Sequence, residues 1–344
     1  MTGKIVFVLL LLMNMNTLCA QDKVFGKKEL ETDLAYLQQQ IKEVHADPLR
    51  ELDEKKWQDL FSRMHAQLKD SMTQSAFFSV IKPAVAFLSD EHADIAAPAY
   101  FEQHDVFLPF SLRALGNGFV CEAINDANKQ TAQMLIAVNG ISIAILLKEL
   151  SNYTTGFPEE RMAKALEQFG YLYGLAHPFE TAWTLTLAGQ KETKVLPTSL
   201  KNWTEQIKRL NGMSEPKQRM RYESFGNIGY FTVPDFSVRN DADGEKYSRA
   251  IDSAFTQAIQ NGVQQFVIDV SRNSGGNSIV GDMMIDHFYS KPYKSYQMSW
   301  RRSKEYLALM KKFGSNNPSY EALQPGAVLH YDAGTVTPSD ETPK

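Results

Sequence analysis

Phe266-Val267-Ile268-Asp269-Val270-Ser271-Arg272-Asn273-Ser274-Gly275-Gly276-Asn277-Ser278 is the stretch on which the fold of this 344-residue chain turns. Its first five residues are almost continuously apolar, which predicts a strand buried on both faces, as in a parallel sheet. Paired glycines then predict a sharp turn, because glycine adopts backbone angles that other residues avoid. A helix is predicted from about Ile279 to Tyr289. Upstream, Ile228 to Val233 reads as a strand. Tyr247, Ala250, Ile251, Ala254, Phe255, Ala258 and Ile259 line one face of a helix that Asn261-Gly262 ends. Strand, helix, strand, turn, helix is a βαβ pattern. Amides at the start of a helix point outward and carry partial positive charge, so this turn is a ready anion or oxyanion site. A plain strand-to-helix turn remains the alternative. A phosphate loop is disfavoured, since no Gly-Lys-Ser or Gly-Lys-Thr follows.

Working back toward the start, Leu30, Leu34, Leu37, Ile41 and Val44 repeat at helical spacing, and Pro48 closes that helix. Asp53 is a candidate cap for a second, with Trp57, Leu60, Phe61, Met64 and Leu68 on one side. A third starts near Thr73 and should kink at Pro83. Three amphipathic helices with short connections predict a small bundle. From Pro98 the composition changes. Phe107 to Leu112, Gly118 to Cys121 and Met134 to Val138 read as strands, the last entering an Asn139-Gly140 turn. Ile141 to Leu150 reads as strand then helix. Pro158 opens a helix with Met162, Leu166 and Phe169 on one face, and Trp183 to Leu187 alternates like a strand. Lys201 to Lys217 is polar and reads as a linker. After Lys291 the signal fades to a helix over Lys304 to Lys312 and a strand hint at Val328-Leu329.

Lys4, then the apolar run Ile5 to Met13, then Leu18-Cys19-Ala20 read as a secretory signal cleaved near Ala20. The run is too short to span a bilayer, and no transmembrane segment is expected elsewhere. Leu18 is too bulky for a usual lipobox before Cys19. The mature chain is therefore expected to be exported, periplasmic or extracellular. It would keep a single cysteine, Cys121, read as a small buried apolar residue, and could form no internal disulfide. A formal charge of −4 excludes a strongly basic surface, so no nucleic acid partner is expected. The seven histidines are scattered without ligand spacing, so neither metal nor cofactor is expected.

Asp269 to Gly276 resembles the Asp-hydrophobic-Arg-x-Asn-x-Gly-Gly strand and turn of tail-specific, or C-terminal processing, serine peptidases. It is most similar to the branch of tricorn core protease and the interphotoreceptor retinoid-binding protein. Three further segments agree in order. Leu88-Ser89-Asp90-Glu91-His92-Ala93-Asp94 resembles that branch's Leu-x-Asp-x-His segment. Ala137-Val138-Asn139-Gly140-Ile141 resembles the turn of a PDZ-like region. Asn227-Ile228-Gly229-Tyr230-Phe231, followed by Phe236, resembles the strand that opens the catalytic core. The resemblance spans roughly Leu30 to Tyr289. It implies an α/β (α+β overall) fold class: an N-terminal helical bundle, a PDZ-like middle region and a partial crotonase/ClpP-like core of ββα units. The domain reading is a signal peptide over 1–20, a helical domain over 21–97, a PDZ-like region over 98–200, a linker over 201–226, and an incomplete peptidase core with a polar tail over 227–344.

The resemblance implies His92 as general base and the Gly275 or Gly276 amide as oxyanion donor, acting on a peptide or protein substrate. For His92 the bland alternative is a surface histidine beside Asp90 and Glu91. Ser271 stands where the family has arginine, with Arg272 one place later, and Ala132-Gln133 replaces the usual Gly-Asp. Nothing after Tyr289 resembles the Thr-x-Ser-Ser-Ala segment that carries the nucleophile. Ser315, Ser319 and Ser339 lack that context, so the nucleophile is expected to be absent and the frame truncated or interrupted. Three functions stay open: a serine endopeptidase homologue without its serine, a non-catalytic binder of extended peptide by strand addition, or a decayed pseudo-enzyme.

Overall fold

A computed structural model of the chain describes residues 22–124, 130–189, 192–210, 220–273, 275–314, 316–332 and 334–336. The signal over 1–20, Ser274, Ser315, Ser339 and the polar end of the tail lie outside the described residues. The chain divides into two compact units, residues 1–212 with 301–327, and residues 213–300 with 328–344.

The first unit opens with strand β1 (Val24–Gly26) and helix α1 (Lys27–Val44), where the Gly26 N–H donates to Glu29 Oε2 at 2.9 Å. Helix α2 (Glu54–Ala66) is capped as predicted, Asp53 Oδ1 accepting from the Lys56 N–H at 2.8 Å. Strand β2 (Ser71–Thr73) pairs antiparallel with β1, and Thr73 Oγ1 caps helix α3 (Gln74–Ile81) through the Ala76 N–H at 3.2 Å. The expected kink at Pro83 takes the form of a change to 3₁₀ geometry over Lys82–Leu88, since proline has no N–H for the α-helical ladder. Leu30, Leu34, Trp57, Phe61, Met64, Val85 and Leu88 form one core.

Short helix α4 (Tyr100–Gln103) leads into a second core. Strands β3 (Ser111–Leu115), β4 (Gly118–Ile124), β5 (Gln130–Val138), β7 (Trp183–Leu187) and β8 (Thr193–Val195) form an antiparallel sheet in the order β3-β4-β5-β7-β8, with β6 (Ile141–Ser142) also on β5. The Asn139-Gly140 turn has positive φ at both residues, 48° and 76°, as a two-residue hairpin requires. The strand expected from Phe107 begins only at Ser111. Phe107 makes an isolated bridge to Thr198, and Pro109 has no N–H for a ladder. Helices α5 (Ile143–Leu150), α6 (Pro158–Glu167) and α7 (Phe169–Ala176) complete this core with Leu146, Phe169, Tyr173 and Trp183.

Two expectations need correction here. The buried face of α6 is Arg161 and Ala165, while Met162 is exposed, because a carboxylate partner neutralises Arg161. The polar stretch read as a linker is helical over α8 (Leu200–Leu210), with Trp203 buried in the second core and Ile207 packed against it one turn later.

The second unit holds β9 (Arg221–Phe225), antiparallel to β10 (Ile228–Thr232), which is parallel to β11 (Gln265–Asp269) with Ile228 opposite Gln265. Helix α9 (Asp241–Gln260) makes the crossover. Asn240 Oδ1 caps it through the Asp243 N–H at 2.9 Å, and Gly262 ends it at φ 64°. Phe231, Val233, Tyr247, Ile251, Phe255, Val280 and Met284 pack as a third core. The parallel pairing is as expected, but β11 is not buried on both faces. Among the described residues it is the edge of a three-stranded sheet covered by α9 on one side, and Val267 is 40% exposed. Helix α10 stops at Ile285 rather than Tyr289 (Ile279–Ile285). Strands β12 (Tyr293–Lys294) and β13 (Gln297–Arg301) had no signal in the sequence. Helices α11 (Lys304–Lys312) and α12 (Pro318–Glu321) belong to the first unit, after which β14 (Val328–Asp332) pairs with β13 and β15 (Thr335–Val336) with β12. No described helix is long and apolar enough to cross a membrane.

Candidate active site

His92 sits in the first unit, on the loop that leaves the 3₁₀ turn. Ser89 starts the loop in left-handed geometry, φ 49°, uncommon for a residue with a Cβ. Its hydroxyl donates to Glu51, and the same carboxylate takes a bidentate pair from Arg161, Nη1 to Oε1 at 2.6 Å and Nη2 to Oε2 at 2.9 Å. Arg161 Nη1 also donates to the carbonyls of Ala86 and Gly156, at 2.5 and 3.0 Å. Burial would raise the Glu51 pKa, but the Arg161 and Ser89 hydrogen bonds and the Arg161 charge outweigh it and hold the carboxyl below its usual range. Further along the loop, Lys164 pairs with Glu91, and the buried Lys82 pairs with Asp94. The loop is thus fastened before and after His92, whose side chain is 97% exposed. Glu51, Arg161 and Lys82 carried no signal in the sequence, since a charged residue reads as surface until its partner is known.

Gly275 and Gly276 belong to the second unit. Asp269 ends β11, accepting from the Ser271 N–H at 2.9 Å, the Ser271 hydroxyl at 2.6 Å and the Tyr230 hydroxyl at 2.7 Å. These bonds, Ser271 first, hold its carboxyl below the usual range. Ser271, which departs from the family pattern, therefore has a local structural use. Asn273 scaffolds the turn: its Nδ2 donates to the Val233 carbonyl at 2.9 Å and its Oδ1 accepts the Gly275 N–H at 2.7 Å. Phe236 docks alongside, its N–H donating to the Gly275 carbonyl at 2.9 Å and its carbonyl accepting the Asn277 N–H at 2.8 Å. The Gly275 amide is thereby committed, whereas the Gly276 amide has no partner among the described residues. With α10 only seven residues long, any anion donor here comes from the turn rather than from a helix terminus.

A serine–histidine bond does occur in the second unit. Ser299 Oγ and His330 Nδ1 are 2.9 Å apart on β13 and β14, both exposed on an open strand surface. In the first unit a pocket of about 700 Å³ is lined by Leu68, Met72, Val80, Tyr153, His177 and Phe179. It contains neither His92 nor a nucleophile–base pair, and its His177 Nδ1 lies 3.8 Å from Glu180 Oε1. No group of His, Cys, Asp and Glu placed to hold a metal occurs among the described residues. Cys121 is half-buried, its Sγ donating to the Gln133 carbonyl at 3.3 Å, and burial pushes its thiol pKa up, away from nucleophilic use.

Among solved structures, a serine-to-alanine mutant of CPAF aligns with 86% of this chain at TM-score 0.55 and 15% identity. Mature CPAF complexed with lactacystin aligns with 85% at TM-score 0.51 and 13% identity. The chain covers 66% of each of those proteins. The photosystem II D1 C-terminal processing protease aligns only at TM-score 0.35 and 11% identity. No curated protein matches. By sequence, residues 227–330, the stretch from the start of β10 through the glycine turn to His330, match peptidase family S41, and the chain around them shares its fold with CPAF.

Proposed function

We propose that this chain is an exported serine-type peptidase homologue of the tail-specific kind, in the tricorn-like branch, and that its substrates are peptides or proteins. The S41 match over residues 227–330 carries the reading, because it includes the turn in which the Gly276 amide has no partner among the described residues. The apolar run Ile5 to Met13 supports export, and the Leu88 to Asp94 segment supports the branch. In the proposed chemistry a serine oxygen attacks the scissile carbonyl. His92 takes the serine proton and returns it to the leaving amine. The Gly276 N–H holds the tetrahedral oxyanion, a donor whose loss costs on the order of a hundred- to a thousand-fold in rate. No stretch after Tyr289 resembles the family's serine segment, so these residues by themselves are proposed to bind extended peptide without turning it over.

The test uses the full chain with reduced, alkylated casein, read by anisotropy for binding and by fluorogenic release for turnover. Binding without turnover, and no labelling by a fluorophosphonate, is the expected result. Turnover lost in Ser299→Ala would instead place the nucleophile on β13. Neither binding nor turnover would sink the peptidase reading.

A further inference from the structure

The loop's carboxylates are not equivalent. Glu91 and Asp94 are drawn away by Lys164 and Lys82. Asp90 faces two histidines. Its Oδ1 accepts the His92 backbone N–H at 2.8 Å and lies 3.4 Å from His92 Nδ1. Its Oδ2 lies 3.3 Å from His45 Nε2. The His45 ring has a defined tautomer: its Nδ1 accepts the Asp47 N–H at 3.1 Å, so in the neutral ring the proton sits on Nε2 and points at Asp90. His45 is itself anchored. It is the C-cap of α1, its N–H donating to the Ile41 carbonyl at 3.1 Å. The Arg301 guanidinium grips its carbonyl at 2.8 Å and that of Ala46 at 3.0 Å.

We propose that Asp90 is the positioning residue of His92, held by His45, and that it fixes the proton on His92 Nδ1 so that the Nε2 lone pair faces solvent as a base. This rests on the reading of His92 as general base. A neutral histidine ring in water favours the proton on Nε2, so an acceptor at Nδ1 is needed to reverse that choice, and a base with the wrong tautomer has its proton where its lone pair should be. The 3.4 Å separation is long for a hydrogen bond, but such contacts are commonly long in ligand-free sites and tighten with substrate. Glu51, Arg161 and Ser89 act one step further back by fixing where the loop begins.

The test is long-range ¹H–¹⁵N correlation of the ¹⁵N-histidine-labelled full chain, at a pH where the imidazoles are neutral. The wild type is expected to show His92 mainly as the Nδ1–H tautomer. Asp90→Asn keeps an oxygen for the His92 amide, so the turn survives while the anionic acceptor is lost. That variant is expected to lower the Nδ1–H fraction by about twofold or more. His45→Ala, which frees Oδ2, is expected to lower it in the same direction. A wild-type His92 with the tautomer ratio of a free histidine peptide, or a ratio unchanged in Asp90→Asn, overturns the proposal. The readout needs no turnover, so it fails separately from the peptidase reading: a fixed tautomer with no peptide binding would keep the device and remove its proposed use.

Discussion

At the residue scale the two adjacent glycines of the turn are not interchangeable. Gly276 has φ 137°, and a Cβ there would lie 2.2 Å from the Phe236 carbonyl oxygen, a backbone atom that cannot swing aside. Gly275 has φ 87° with open space around it. Gly276→Ala should therefore cost about 3 kcal/mol or more by strain and displacement of Phe236, whereas Gly275→Ala should cost about 1 kcal/mol by conformation alone. Urea denaturation followed at the second unit's core checks the order, and equal losses would mean that Phe236 does not pack as described. The sequence announced both glycines but could not rank them, because the rank depends on Phe236, forty residues upstream.

At the element scale the stretch from Lys201 shows how charge conceals a packed helix. Its lysines and arginine read as solvated chain, yet Trp203 is 9% exposed and Ile207 follows one turn later. Gln206 adds a bond to the Pro109 carbonyl. Trp203→Ala should cost about 3–5 kcal/mol, as for other buried tryptophans, with loss of the tilted ring contact to Tyr171. A loss under about 1 kcal/mol, the range of surface changes, would restore the linker reading. Elements with strong periodicity were legible: α1, α2 with its cap Asp53, α9 with its Asn261-Gly262 end, and the Asn139-Gly140 turn. Strands β12 and β13 were not, because they are short and exposed, and their partners lie some thirty to forty residues later.

At the scale of the whole molecule, two half-buried ionisable groups in the first unit set opposite limbs of the stability profile. Glu51 has a folded pKa below its unfolded value near 4.5, so its contribution is present above that value and is lost as pH falls through the folded one. Burial lowers the His177 pKa, but the Glu149 carboxylate, 3.3 Å away, and the charge of Glu180 outweigh it. Its folded pKa is thus raised above 6.5, and its contribution is present below 6.5 and lost as pH rises through the folded value. Between them these groups favour a maximum from about pH 4.5 to 6.5. Urea midpoints across pH 4 to 9 should show His177→Gln flattening the alkaline limb and Glu51→Gln the acid limb. A profile unchanged in both variants would show that neither pair contributes to folding.

The sequence by itself determined the parts whose cause is local: helices set by apolar spacing, caps set by Asp, Asn and Thr, the hairpin set by Asn-Gly, and the parallel β10–β11 unit set by an apolar run followed by glycines. It also brought His92, Gly275 and Gly276 forward, through resemblance. Tertiary structure decided what each of them has to work with. Asn273 takes the Gly275 amide, while that of Gly276 has no partner among the described residues. Asp90 Oδ1 accepts the His92 N–H, while its second oxygen meets His45 at the end of another helix. A hydrogen bond across forty residues leaves no periodicity to read, since it depends on where two distant backbones come to rest.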